Sequence, residues 1–322
     1  MDTTRRVFWF RRLALAGALL AAGVVVLGAW VRLTDAGLGC PDWPGCYGHL
    51  YPAGGAKALN EMIHRYFATS LGLLIVVLFL WAVRFRGDDG QPLIPAALLF
   101  LVVCVQGALG ALTVTLLLKP LIVTAHLLGG LTTLGLLWWL SRTVPERPST
   151  GREAGLQKFA WVGLAALIVQ IALGGWTSTN YAALACPDLP TCQHSWWPQM
   201  DYRDAFVLWR GVLSNPARVA IHFSHRLGAL LAGSVLITLG VLSAVSPGNR
   251  RLAFAGRLLV VAVVVQISIG AATVHWGVPL ALATLHNAGA AFLAISMVTL
   301  LRALRPAAAI SMVPLNRADS SR

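Results

Sequence analysis

The sequence predicts an all-α integral membrane protein of eight transmembrane helices, arranged as two tandem, parallel-repeat four-helix bundles. Three observations carry this. The 322-residue chain is 57% hydrophobic and only 11% charged, with a mean hydropathy of +0.72, too little charge to cover a soluble surface of that size. Eight runs are long and apolar enough to cross about 30 Å of hydrocarbon. The chain also repeats itself at a nearly constant offset, which for such a protein decides the architecture.

The runs lie at 13–33, 62–83, 93–117, 121–141, 157–178, 219–244, 254–277 and 280–302. Each reads as a helix, because an isolated segment in lipid has to satisfy its own backbone hydrogen bonds. The first follows two arginine pairs, Arg5-Arg6 and Arg11-Arg12, as an export signal would. It is nevertheless long enough to span and has a counterpart at 157–178, so it reads as a retained helix. Eight spans put both termini on one side. That side carries seventeen of the 25 Lys and Arg residues, the other side and its helix ends eight, while acidic residues divide evenly. The basic side is therefore expected to be cytoplasmic, in a bacterial inner membrane. The net charge of +13 reads as this bias plus contact with anionic lipid rather than as nucleic-acid binding.

The repeat is specific. Gly28-Ala-Trp-Val recurs as Gly174-Gly-Trp-Thr, and Cys40-Pro-Asp-Trp-Pro-Gly-Cys46 as Cys186-Pro-Asp-Leu-Pro-Thr-Cys192, both at an offset of 146. His64-Arg65 recurs as His225-Arg226 at 161. Val105-Gln106, Gly110-Ala111, Thr113-Val114 and His126 recur as Val265-Gln266, Gly270-Ala271, Thr273-Val274 and His286 at 160. The one large jump in offset falls inside the loop after each Cys pair. Four spans per unit make this a parallel repeat, unlike the inverted repeats of many transporters. The expected organisation is a first half at 1–142, a linker at 143–156 with Pro and a Ser-Thr-Gly turn, a second half at 157–305 and a polar tail at 306–322.

Histidine is costly in lipid unless it lines a site. His64, His126, His225 and His286 fall inside spans at matched, shallow depths. Two histidines on separate helices of a four-helix bundle suit ligation of haem iron from both sides. The bland alternative is a hydrogen-bonded structural histidine, which serves for one residue but not for four paired by helix and repeated by half. Zinc takes three or four protein ligands, so two histidines are too few unless Glu61 joins. Gly72, Gly129, Gly130, Gly228, Ala288, Gly289 and Ala290 follow the histidines and leave room for close helices or a flat macrocycle.

The halves differ at one chemically loaded position. Glu61-Met-Ile-His64-Arg65 faces His222-Phe-Ser-His225-Arg226. Glu61 shares a helix face with His64, either as a functional carboxylate or as a first-turn residue favoured by the helix dipole. Arg65 and Arg226 suit either haem propionates or interfacial snorkelling. The Cys pairs, Cys40 with Cys46 and Cys186 with Cys192, sit in outer loops where disulfides form, as structural staples or as redox-cycling pairs. Cys104, in the third span, reads as a buried inert thiol.

On the segment Glu61–Arg65, its His225-Arg226 counterpart, His126, His286 and the two Cys-Pro-Asp-x-Pro-x-Cys loops, the chain resembles the haem A synthase family along its whole length. The resemblance implies oxidation of the C8 methyl group of haem O to a formyl group, by successive hydroxylations to a geminal diol that loses water. The product, haem A, serves terminal oxidases. It implies substrate haem O between His64 and His126 with Arg65 near, Glu61 as catalytic carboxylate, and a haem B cofactor between His225 and His286 with Arg226 near. It further implies that Cys40 and Cys46 are the redox-active pair and Cys186 and Cys192 the second pair. Implied partners are haem O synthase (protohaem farnesyltransferase) as supplier, membrane lipid, an electron acceptor and a second copy in a homo-oligomer. A b-type cytochrome that only moves electrons is the competing reading; it needs paired histidines but not a carboxylate in one half alone. A transporter leaves the four matched histidines unexplained.

Overall fold

The computed structural model describes residues 2–87, 92–142, 150–209 and 211–305. Residues 143–149 of the expected linker and the tail at 306–322 lie outside the described residues. The elements are α1 (Thr3–Leu33), α2 (Gly55–Arg84), α3 (Leu93–Thr115), α4 (Pro120–Ser141), α5 (Gly151–Thr179), α6 (Tyr202–Ala205), α7 (Asn215–Ala244), α8 (Arg250–His275) and α9 (Leu280–Leu304). All except the short α6 are long and apolar enough to cross a membrane, so the chain is a multi-pass membrane protein.

The apolar ends of these helices agree with the sequence reading, whereas the polar ends run further. Helix α1 starts ten residues before the expected span, α2 seven and α5 six. Hydropathy sees only the hydrocarbon layer, while a helix continues through the headgroup zone wherever capping allows. Asp2 caps α1 by accepting from the Arg5 N–H at 2.8 Å. Thr150 and Glu153 form a capping box at α5, satisfying donors that would otherwise be orphaned. The end of the expected linker is thus the first turn of α5. Helix α6 has no hydropathic signature; Asp201 starts it by accepting from the N–H groups of Arg203 and Asp204.

The first four helices form a ring. Helix α1 packs on α2 and α4, and α3 packs on the same two; among the described residues α2 and α4 do not touch and stand diagonally. Phe10, Ile75, Leu78, Leu99, Leu134 and Leu137 fill the end of the ring nearer the N-terminus of α1. Helices α5, α7, α8 and α9 form a second ring in which α7 and α9 are diagonal, filled by Leu236, Leu239, Leu252, Leu259 and Met297.

The rings meet along α1 and α4 against α5 and α9. The Arg32 guanidinium donates to the Ser178 carbonyl at 2.9 Å, Arg302 to the Arg142 carbonyl at 2.7 Å, and the Trp138 indole to Thr299 at 2.8 Å. Arg32 and Ser178 stand 146 apart in sequence, Arg142 and Arg302 160 apart, so each meets the position that the sequence repeat pairs with it.

Helices α7 and α8 approach backbone to backbone. A Cβ on Gly256 would lie 2.6 Å from the Ala244 nitrogen and also collide with the Gly240 carbonyl. Backbone cannot swing aside as a side-chain tip can, so the helices would have to part. Gly256→Ala is expected to destabilise the protein by about 1–3 kcal/mol, as overpacking does. Gly72→Ala, whose Cβ would meet nothing within 4 Å, serves as the control. Thermal unfolding in detergent checks this, and equal midpoints for the two variants would refute it.

Candidate functional site

The four in-span histidines come from the diagonal helices: His64 on α2 and His126 on α4, His225 on α7 and His286 on α9. Each pair lies within mutual electrostatic reach, His64 with His126 and His225 with His286. The adjacent helix offers each ring a glycine. The Cε1 atom lies 3.0 Å from where a Cβ would be on Gly28 for His64, 3.5 Å on Gly110 for His126, 3.0 Å on Gly174 for His225 and 2.9 Å on Gly270 for His286. A Cβ on Gly28, Gly174 or Gly270 would press on the imidazole, whereas one on Gly110 would make ordinary contact with it.

The rings differ in their polar partners. Nδ1 of His225 lies 3.0 Å from the Gln170 amide nitrogen, which also donates to the His225 carbonyl. The Gln266 amide nitrogen likewise donates to the His286 carbonyl at 3.0 Å, and it faces the ring edge, 3.3 Å from Nδ1 and 3.4 Å from Nε2. Nδ1 of His64 is buried within reach of the Val24 backbone, as His222 is of Ala182, and Nδ1 of His126 is buried with no partner. The glycines flagged in the sequence as room for a macrocycle serve differently at three places. A Cβ on Gly129, Gly228 or Gly289 would collide with the amide of Gln106, Gln170 or Gln266. These glutamines were not singled out as site residues. The signal was present, since Gln-x-x-x-Gly occurs at Gln106–Gly110, Gln170–Gly174 and Gln266–Gly270.

Glu61 is the seventh residue of α2, not in its first turn, and only 4% exposed, so the helix-start reading fails. Its Oε1 pairs with Arg65 Nη2 at 2.6 Å, and its Oε2 accepts from the Cys40 N–H at 2.8 Å. Arg65 also donates from Nη1 to the carbonyls of Asp42 (2.9 Å), Pro44 (3.3 Å) and Gly45. Arg226 donates likewise to Cys186 at 2.7 Å and Thr191 at 2.8 Å. Both arginines therefore clamp the Cys loops onto α2 and α7, a role that neither sequence expectation anticipated. His222, in the place of Glu61 and equally buried, reaches the Ala182 backbone. Among the described residues no three His, Cys, Asp or Glu cluster as metal ligands.

Both Cys pairs are joined, Cys40 to Cys46 and Cys186 to Cys192, with Cα atoms 4.7 and 4.6 Å apart. Cys104 is exposed rather than buried, on a face of α3 turned outward to the membrane. An apolar cavity of about 680 Å³ runs between α1 and α9, lined by Gly23, Leu27, Phe67, Ala288 and Phe292 among others. Phe67 is one turn beyond His64, and Leu27 precedes the Gly28 that backs its ring.

Each loop is also closed by an aspartate. Asp42 accepts from the N–H groups of Tyr47 at 2.6 Å and Gly48 at 2.8 Å; Asp188 accepts from those of Gln193 and His194 and from the Thr191 hydroxyl. The Gly48 bond holds the Asp42 carboxyl below its ordinary range, and the Thr191 hydroxyl does so for Asp188. A carboxyl with a lower pKa folded than unfolded stabilises above its unfolded value and loses that contribution as pH falls through the folded one. Loop closure is therefore expected to persist from neutral pH down to about 4 and weaken below it. The rate at which a phosphine reductant opens the two disulfides, divided by that of a linear peptide disulfide, should stay flat to about pH 4 and then rise. A ratio unchanged through pH 3 would overturn this.

The comparisons with known proteins agree with this geometry. The family model of COX15-CtaA, described as cytochrome oxidase assembly protein, matches residues 11–59 and 53–298. The haem A synthase of Shewanella oneidensis is 41% identical over 321 residues, covering 91% of this chain and 94% of the relative. That of Halalkalibacterium halodurans is 28% identical, covering 86% and 91%, and that of Symbiobacterium thermophilum 30%, covering 71% and 74%. The matched segments carry both rings and both disulfide loops, and on that footing the chain belongs to the COX15-CtaA family, the haem A synthase family.

Proposed function

We propose that this chain acts as a haem A synthase, oxidising the C8 methyl group of haem O to the formyl group of haem A. The observation that carries the reading is an asymmetry inside a symmetric frame. Two pairs of buried histidines stand on diagonal helices, and only one pair has a carboxylate on the ligand helix, Glu61 against His222. An electron carrier has no use for that difference.

The residues fit haem. Each pair is presented from two helices that do not touch. Each imidazole lies along a glycine, and the buried Nδ1 of His126 lacks a protein partner. His64 and His126 would hold haem O, and His225 and His286 a haem B, which when bound supplies a one-electron relay. Each Glu61 oxygen accepts one hydrogen bond and keeps further acceptor capacity. Facing a C8 methyl group, the carboxylate would take up its proton or stabilise positive charge on the carbon. The open apolar groove along α1 and α9, which includes Phe67 one turn beyond His64, suits the farnesyl chain of haem O. Arg65 and Arg226, committed to the loops by four or fewer donors each, would meet a propionate with what remains.

The contacts between repeat-paired positions support two tandem halves divided near residue 142. The Lys and Arg bias supports a bacterial inner-membrane location with both termini cytoplasmic. The two disulfides suit the oxidising outer side, with Cys40–Cys46, bonded directly to Glu61, as the redox-active pair. Haem O synthase is the natural supplier of the substrate.

Glu61→Gln keeps an acceptor for the Cys40 N–H while removing the charge. It is expected to leave expression and haem B content near wild type and to lower haem A output at least about 100-fold, the scale of a lost acid–base group, with haem O or a hydroxylated intermediate accumulating. Chromatography and mass analysis of extracted haems reads this directly; normal haem A output would return Glu61 to a purely loop-holding role. His222→Gln is expected to be milder. In a separate test, His225→Ala or His286→Ala should abolish the low-spin haem B spectrum of the purified protein, and an unshifted spectrum at full strength in both would reject the assignment of that half.

A further inference from the structure

We propose that Gln170 and Gln266 are positioning residues that fix His225 and His286 as permanent haem ligands, and that the lack of a matching bond at His64 and His126 makes the first pair the exchangeable one. The proposal rests on the haem reading above and adds to it a reason why one site keeps its haem while the other turns over.

Three histidines share one module. A glutamine and a glycine four residues apart lie on one face of the preceding helix. The glycine backs the imidazole, and the glutamine lies in the notch left by a second glycine three residues after the histidine. His126 has Gln106, Gly110 and Gly129; His225 has Gln170, Gly174 and Gly228; His286 has Gln266, Gly270 and Gly289. His64 departs from it. Gly28 is present, but Val24 stands where the glutamine would be and Phe67 where the second glycine would be. His126 keeps the module without the bond, its Nδ1 buried and unpartnered. Both imidazoles of the second ring are thus hydrogen-bonded by an amide, and neither of the first ring is.

The chemistry follows from which nitrogen takes the metal. With Nε2 on iron, Nδ1 carries the proton and needs an acceptor. The Oε1 atoms of Gln170 and Gln266 are themselves buried without partners. Turning the amide about its last torsion brings that oxygen to Nδ1–H, and the His carbonyl keeps its own helical hydrogen bond. Such a bond fixes the tautomer and ring orientation and makes the imidazole a stronger donor, which favours ferric iron and slows loss of the group. In the first ring no glutamine supplies it: His64 has only the Val24 backbone within reach, and His126 has no polar partner at Nδ1.

The test uses the purified holoenzyme with apomyoglobin as haem acceptor, alongside redox titration. Wild-type protein should release haem in two phases, with the slow phase belonging to haem B. Gln170→Leu and Gln266→Leu should each speed the slow phase by about 10- to 100-fold and leave the fast phase alone. A tenfold loss of ferric over ferrous preference corresponds to a rise of about 59 mV in the haem B midpoint. Gln170→Glu, a stronger acceptor, should shift the midpoint the opposite way, which a purely structural role would not produce. Electron paramagnetic resonance of the low-spin signal in native membranes reads the same perturbation in any variant that does not survive purification. Unchanged slow phase and midpoint in both leucine variants would overturn the proposal. His225→Ala run in parallel keeps the two readings apart. If that variant loses its haem B while the leucine variants behave as wild type, only the glutamine role fails; if it retains haem B, the site reading fails.

Discussion

The contact on which the candidate sites depend is that of an imidazole lying along a glycine of the next helix. In lipid no hydrophobic force draws helices together, because the tails are as apolar as leucine. Close approach, with the dispersion and hydrogen bonding it permits, does that work. Gly28, Gly110, Gly174 and Gly270 bring one helix of each pair to within van der Waals distance of a ring. Among the described residues the backbones of the two histidine-bearing helices in each ring do not approach closely, and the glycine-bearing helices lie between them. Where α7 meets α8 the same device runs without a histidine, Gly240 against Gly256.

Much of this was legible in the sequence, and the rest was hidden for physical reasons. The eight spans followed from apolar run length alone, since lipid admits few backbone solutions. Their polar ends did not, because Arg5, Arg6 and Lys57 lie ahead of the apolar runs while the helix continues through them. The four histidines stood out because an ionisable group in a span demands a reason. The glutamines beside them did not, because a neutral amide in a span raises less alarm, and only tertiary packing reveals that Gly129, Gly228 and Gly289 are notches cut for them. Arg65 and Arg226 were seen as cations near a membrane surface, but their target, a set of loop carbonyls more than 20 residues away for Arg65 and 35 or 40 for Arg226, is a matter of fold.

The single carboxylate links two features that sequence treats separately. Glu61 lies three residues before a histidine and bonds the backbone of a disulfide cysteine. Its second oxygen meets the arginine that clamps the rest of that loop. Changes in the Cys40–Cys46 loop and changes at the first histidine pair therefore share one side chain. In the second ring His222 reaches a different loop residue, Ala182, and that connection to the cysteine is missing.

The diagonal placement of the ligand helices has a consequence for the order of assembly. In a small zinc domain the metal ties together parts that would otherwise stay apart, so folding waits for it. Here α1 and α3 already bridge α2 to α4, and α5 and α8 bridge α7 to α9. The helical frame thus has contacts between neighbouring helices that do not pass through the histidines. Entry and departure of a haem then become a matter of loading a finished frame, and a protein whose substrate is itself a haem can be emptied and refilled many times without being unmade.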